Sequence, residues 1–260
     1  IKSSAASDVY KRQPWGGAVE TASGKLSTVI GEDAASVTEL SLTGTMDARD
    51  FKYISDSMPQ LSVLDISGVT IEEYSDREPL FANFTYYPAG ELPKYSLMGK
   101  PLTSVSLPST LTSIGEAAFA GCAELTEISL PSMVATIGNY AFSGASKLAD
   151  VKGGEGVRTI GDYAFSDWTT VREIIIPSTV EYIGDRAMRN WNSLAELTSN
   201  AVTPPSLGDN VWENVDYEKV NLTVPAAGEM AYRLAEQWQD FFKSSSAKPL
   251  AAESLRVAVD

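Results

Sequence analysis

Apolar residues in the middle of the chain recur with a period that neither a helix nor a strand produces by itself. Leu102, Leu125, Leu148, Val171 and Leu194 stand 23 residues apart. In phase with them run Val105, Ile128, Val151 and Ile174, then Leu111, Val134, Val157 and Val180, then Ile114, Ile137, Ile160 and Ile183. Two columns hold one residue type throughout, glycine at 115, 138, 161 and 184 and alanine at 118, 141, 164 and 187, while the polar positions between them vary. Four units of one motif therefore stand back to back. A unit this short cannot bury its own apolar face, so the units stack around a continuous core, and the chain reads as a solenoid with a long side wall rather than a crevice.

Within each unit the pattern predicts the elements. The opening Leu-x-x-Val/Ile-x-Leu ends in alternation, as a short strand with one buried and one wet face does. Proline follows at 108, 131 and 177; lacking an N–H and fixing its own φ, it stops the ladder. The glycine after isoleucine marks either positive φ or a close backbone approach. The next residue, Glu116, Asn139, Asp162 or Asp185, reads as the cap of a short helix. One turn on, alanine lets neighbouring coils approach, and Phe119, Phe142, Phe165 and Met188 form an apolar spine, each side chain contributing about 1.5–3 kcal/mol when fully buried. In the third unit Gly153 and Gly154 replace leucine and proline, so its strand is expected to weaken or bulge. That departure reads either as a local defect or as a place where a partner's backbone comes close.

The Leu-Pro, Ile-Gly and Ala-Phe pairs across residues 102–194 resemble the signature of BspA-like bacterial leucine-rich repeats. The flanks are similar. Val37-Thr-Glu-Leu40-Ser-Leu42 and Leu61-Ser-Val-Leu64-Asp-Ile66, 24 residues apart, read as two degenerate units, and Val220 to Pro225 with Tyr232, Trp238 and Phe241 resembles the family's closing strand and amphipathic helix. The resemblance implies an α/β fold: a right-handed leucine-rich-repeat solenoid of about 23-residue coils, with short strands on one face and short helices or turns on the other. The expected division is an N-terminal segment, 1–36, partly disordered, a solenoid over 37–242 ending in a capping helix, and a tail over 243–260.

Composition narrows the function. With 260 residues, 43% hydrophobic, five Trp and eleven Tyr, the chain can bury a sizeable core as one elongated domain. No apolar run is long enough to span a membrane, and no intact signal peptide heads the chain. A net charge of −14 argues against nucleic acid, which needs basic patches, and favours basic partners or cations. With no histidine and one cysteine, imidazole catalysis, the usual triads and nearly every zinc site are removed. Neither a phosphate-binding loop nor EF-hand spacing is present. Two carboxylates would suffice for glycoside hydrolysis, but a side wall offers no enclosed pocket. The expectation is no enzymatic activity, no cofactor and no metal site. Cys122 stands where other units place Ala145, Trp168 and Trp191, and reads as a small buried filler, with a reactive thiol as the other reading.

Three surfaces are candidates for a partner. If Val105, Ile128, Val151 and Ile174 point inward, the residues before them point out: Ser104, Glu127, Asp150 and Glu173, joined by Glu196. Four carboxylates then align on strands about 4.8 Å apart, an arrangement that costs stability unless Lys152 and Arg172 soften it. The stripe serves a basic protein segment or a loosely held calcium ion, or it is simply a solvated face. Trp168 and Trp191 share a column that is either an exposed platform or packing on the far side of the coil. The irregular stretch 67–101, with Phe81, Phe84, Tyr86, Tyr87 and Tyr95, is either a specificity loop or a cover for a non-standard coil. The candidate partner-binding residues are thus Glu127, Asp150, Glu173, Glu196, Tyr86, Tyr87 and Trp168.

The resemblance implies a monomeric cell-surface or secreted module that binds a protein, including adhesion to extracellular-matrix or host surface proteins. The alternative is a structural spacer that presents another domain.

Overall fold

The computed structural model describes residues 17–243; the expectations for 1–16 and 244–260 lie outside the described residues. The N-terminal part comprises strand β1 (Val19–Thr21), helix α1 (Leu26–Ile30), strand β2 (Glu39–Met46), helix α2 (Ala48–Ser57), strand β3 (Val63–Ile71) and an antiparallel pair, β4 (Tyr74–Ser75) with β5 (Tyr86–Tyr87). Beyond it, strands alternate between two faces: β6 (Glu91–Leu92), β7 (Ser104–Ser106), β8 (Ser113–Ile114), β9 (Glu127–Leu130), β10 (Thr136–Ile137), β11 (Asp150–Gly153), β12 (Thr159–Ile160), β13 (Glu173–Ile176), β14 (Tyr182–Ile183), β15 (Glu196–Ser199), β16 (Ser206–Leu207) and β17 (Asn221–Thr223). Helix α3 (Glu229–Leu234) and a 3-10 turn over Trp238–Phe242 close the array.

Every ladder between coils is parallel, and in the regular units its register is the sequence repeat: Thr136 pairs with both Ser113 and Thr159, and Glu173 with Glu196. The narrow face is one six-stranded sheet, β6-β8-β10-β12-β14-β16. The wide face is in three pieces, β1-β2-β3-β7, β9-β11 and β13-β15-β17. Between the faces, Phe119, Phe142 and Phe165 stack with centroids 5.1 and 5.5 Å apart. These steps are close to the strand spacing itself, as expected when one buried position repeats from coil to coil.

The sequence placed short helices after Glu116, Asn139, Asp162 and Asp185, and there the structure has turns. Two residues four apart in each coil adopt left-handed backbone, Ala117 (φ 51) with Gly121 (φ 70) and Tyr140 (φ 57) with Gly144 (φ 71), and a right-handed helix cannot hold them. The N–H groups divide accordingly. Ala118 donates back to the Gly115 carbonyl in its own coil, whereas Ala117, Phe119 and Gly121 donate to the carbonyls of Asn139, Ala141 and Ser143 in the next coil at 2.9, 2.8 and 2.7 Å. The expected helix caps also act across coils: Asn139 Oδ1 accepts from the Asp162 N–H at 2.9 Å, Asp162 Oδ1 from Asp185 at 2.9 Å and Asp185 Oδ1 from Asp209 at 2.7 Å. Of the two reasons for the glycine column, close approach is the one realised, since a Cβ on Gly138 would lie 2.8 Å from the Glu116 nitrogen of the preceding coil.

The stack begins earlier than residue 37. β1 pairs in parallel with β2, Val19 opposite Leu42, which extends the wide sheet into the segment assigned to the N-terminal stretch. The buried carboxylate of Asp50 fixes this first coil, accepting from the N–H groups of Gly24 at 2.7 Å, Leu26 at 2.9 Å and Asp47 at 3.0 Å. It thereby closes the capping box of α2 and ties that helix to α1. At the other end of α2, the Lys100 ammonium donates to the carbonyls of Ser55 and Met58, both at 2.8 Å.

Cys122 is fully buried, and its thiol donates to the Leu97 carbonyl at 3.1 Å. Burial disfavours the thiolate and pushes the pKa up to about 12.

Two outcomes follow from these contacts. Asp50→Ala strands the buried N–H donors of Leu26 and Asp47 and frees the part-buried one of Gly24. At about 1–3 kcal/mol for each buried donor, urea unfolding should show a loss of about 2 kcal/mol or more; a loss below about 1 kcal/mol would show that water replaces the carboxylate. For Cys122, the folded state keeps its proton up to about pH 12, whereas the unfolded thiol releases it near its ordinary pKa of about 8.5. Stability from this group is therefore complete below that pH and declines as pH rises toward 12. The native protein at pH 8 should resist iodoacetamide at Cys122 and react once urea unfolds it, as mass spectrometry would show.

Candidate functional site

The carboxylates of the predicted stripe lie on the wide face, where strand alternation turns them outward and puts Ile128 and Leu197 into the core. Glu127 is in register with Asp150, and Glu173 with Glu196, each at the first position of its strand. The stripe is not uniform. Lys152 Nζ bridges the first pair, 2.6 Å from Glu127 Oε2 and 3.5 Å from Asp150 Oδ2. This hydrogen bond, then the charges of both carboxylates, holds the Lys152 ammonium above its ordinary pKa. Glu196 Oε2 accepts from Asn221 Nδ2 at 2.8 Å. Among the described residues, neither Glu173 nor Glu196 makes an ion pair within 4.0 Å, and neither does Arg172.

Between the two pairs the wide sheet is interrupted. β11 and β13 share no ladder, and a cleft of about 470 Å³ lies there, lined by Ala149, Asp150, Val151, Thr170, Arg172 and Glu173 to Ile175. β11, the strand that ends at Gly153, lies beside this break, while its pairing with β9 is kept through Gly153.

Two of the aromatic candidates are corrected. Trp168 is fully buried; its indole N–H donates to the Phe142 carbonyl at 2.9 Å and its ring stacks on Trp191 at 5.9 Å. It fills the core beside the phenylalanine spine and presents no surface to a partner. Tyr87 is likewise buried: its hydroxyl donates to the Phe84 carbonyl at 2.7 Å and accepts from the Phe81 N–H at 2.9 Å, so it closes the irregular loop from within. Strand alternation put one of two adjacent tyrosines inward and the other outward, and Tyr86 is 56% exposed. It stands on the separate β4–β5 pair and not in the sheet that carries the stripe.

Ile175 is 55% exposed on β13 and was not among the expected surface residues, whereas Val151 and Ile174, expected to point inward, are partly buried against the core. The signal was available, because three consecutive isoleucines exceed the alternation that a half-buried strand needs. The non-standard coil expected within 67–101 keeps the narrow-face pattern, and a further unit follows Ile183. Leu92, Leu97 and Gly99 stand 22 residues before Ile114, Phe119 and Gly121, and β16 continues the narrow sheet after β14. Among the described residues, no group of three or more His, Cys, Asp or Glu is placed to hold a metal ion, and no helix is long and apolar enough to cross a membrane.

The family model described as a BspA type leucine rich repeat region matches residues 90–219 in six copies. Among solved structures, the chain is similar to the leucine-rich repeat protein TpLRR of T. pallidum, at 24% identity over 62% of this chain and 81% of that one, with a TM-score of 0.42. It is similar to the pneumococcal vaccine antigen PcpA at 18% identity, over 65% of this chain and 38% of that one, TM-score 0.38. A leucine-rich repeat protein from Bacteroides ovatus is 15% identical over 76% of this chain and 63% of that one, TM-score 0.39. No curated protein matches the chain.

Proposed function

The chain belongs to the BspA-type leucine-rich-repeat family, and from that premise we propose that it is a non-enzymatic, adhesion-type module that binds a protein partner outside the cell. Repeats of this family serve in general as protein-interaction modules. The observation that carries the proposal is the stripe of Glu127, Asp150, Glu173 and Glu196 along one open sheet face, with only the first pair neutralised by a lysine. Aligned like charges destabilise the free sheet, and a basic partner relieves that repulsion as it binds. On a chain of net charge −14 the same field speeds encounter with a basic surface. A shallow face of this kind draws affinity from a few anchors within a polar rim and requires no cofactor. The absence of histidine from the sequence fits a non-enzymatic role, and location outside the cell follows the family resemblance.

The test is a pull-down from extracellular-matrix and cell-surface extracts, with the wild-type chain beside a variant carrying Glu127→Gln, Asp150→Gln, Glu173→Gln and Glu196→Gln. A partner should be held by the wild type, released as salt rises, and retained at least tenfold less by the variant. A partner held equally by both would remove the stripe from the interface. No partner for either would favour the structural spacer instead.

A further inference from the structure

The break in the wide sheet has a definite chemistry. β11 and β13 belong to successive coils, and behind them β12 pairs with both β10 and β14. The two coils are therefore joined on the narrow face and parted on the wide one. In a parallel ladder alternate residues turn both peptide groups to the same neighbour. Glu196 donates to the Arg172 carbonyl and Asn200 to that of Ile176, so Arg172, Ile174 and Ile176 serve β15, and the peptide groups of Glu173 and Ile175 face the break. By the same alternation those of Val151 face it from β11. None of these groups has a ladder partner on that side among the described residues.

The wide sheet is also parted between β7 and β9, where the leucine column is intact, and the break between β11 and β13 differs from that one in coinciding with a missing side chain. Leu130 and Ile176 fill the core at this position, and between them stands Gly153, with no side chain and φ 75. An apolar cavity of about 50 Å³ remains, lined by Leu130, Gly153 and Ile176 with Trp168 and Trp191. Val151, Ile174 and Ile175 line both this cavity and the surface cleft, which therefore lie on either side of the same side chains. At the mouth stand Asp150 and Glu173.

We propose that this cleft is a strand-addition site for an extended basic segment of a partner protein. The segment hydrogen-bonds to the Glu173 and Ile175 edge of β13, sets an aliphatic side chain into the space that Gly153 leaves, and places lysine or arginine against Asp150 and Glu173. Peptide backbone is the chemistry that satisfies an unpaired strand edge, with pockets for alternate side chains giving specificity. The proposal rests on the protein-binding reading above and deepens it from a face to a defined slot.

The test uses fluorescein-labelled heptapeptides of alternating lysine and valine, and of alternating glutamate and valine, titrated into the full chain and read by anisotropy. The lysine peptide should saturate and the glutamate peptide should not. Asp150→Lys with Glu173→Lys, both on the surface, should weaken the lysine peptide at least tenfold. Ile175→Pro, which removes a donor facing the break and is tolerated on a strand edge, should weaken it tenfold with an unchanged melting temperature, separating strand addition from diffuse attraction to the net charge. Hydrogen exchange at the Ile175 N–H should slow when the peptide binds. Equal binding by wild type and Ile175→Pro overturns the slot, and so does no binding of the lysine peptide. In either case a partner still captured in the pull-down leaves the broader reading standing.

Discussion

A coil of about 23 residues cannot satisfy its own backbone or bury its own apolar side chains, and hydrogen bonding between successive coils solves both problems together. The wide strands, the narrow strands and the turns all bond to the coil before or after, so a residue at one position lies against its counterpart in the next unit. The Phe119, Phe142 and Phe165 stack follows from that alignment. So does the rung of Asn139, Asp162 and Asp185, each accepting from the backbone of the following coil. The glycine column is required because the neighbouring backbone lies where a Cβ would stand.

A stack held this way must end without stranding its last groups. At the N-terminal side of the described residues β1 and α1 form a coil that the Asp50 carboxylate ties to α2. At the C-terminal side the closure is made by side chains. Gln237 Oε1 accepts from the Val211 N–H at 2.8 Å and its Nε2 donates to the Gly208 carbonyl at 2.6 Å, standing in for the coil that does not follow. Tyr232 donates to the Ala201 carbonyl at 3.0 Å, and Trp238 and Phe241 cover Trp212.

The same constraint shapes the exposed face. Since register is fixed by the backbone, an acidic residue at the first position of each strand yields a stripe whether or not charge favours it, and Lys152 neutralises the Glu127–Asp150 end. The wide ladder is parted between β7 and β9 and between β11 and β13 while the narrow ladder holds, and the second gap adjoins the unit that lacks its leucine. The surface thus combines charge and unpaired backbone at one place, which is what connects the architecture to partner binding.

Period and polarity along the chain suffice for the repeat, the inward and outward positions of the strands, the apolar spine and the placing of Glu127, Asp150, Glu173 and Glu196 on one face. Tertiary structure decided the rest. Whether Asn139 caps its own helix or the next coil depends on a left-handed residue at Tyr140, and single-coil propensity does not anticipate that conformation because inter-coil bonds impose it. Trp168 and Tyr87 are aromatic in either reading, and only packing between coils turned them inward while leaving Tyr86 in solvent. Gly153 and Gly154 announced a weak strand, but its placement against β9, with the gap toward β13, is a balance between neighbouring ladders that no single unit contains.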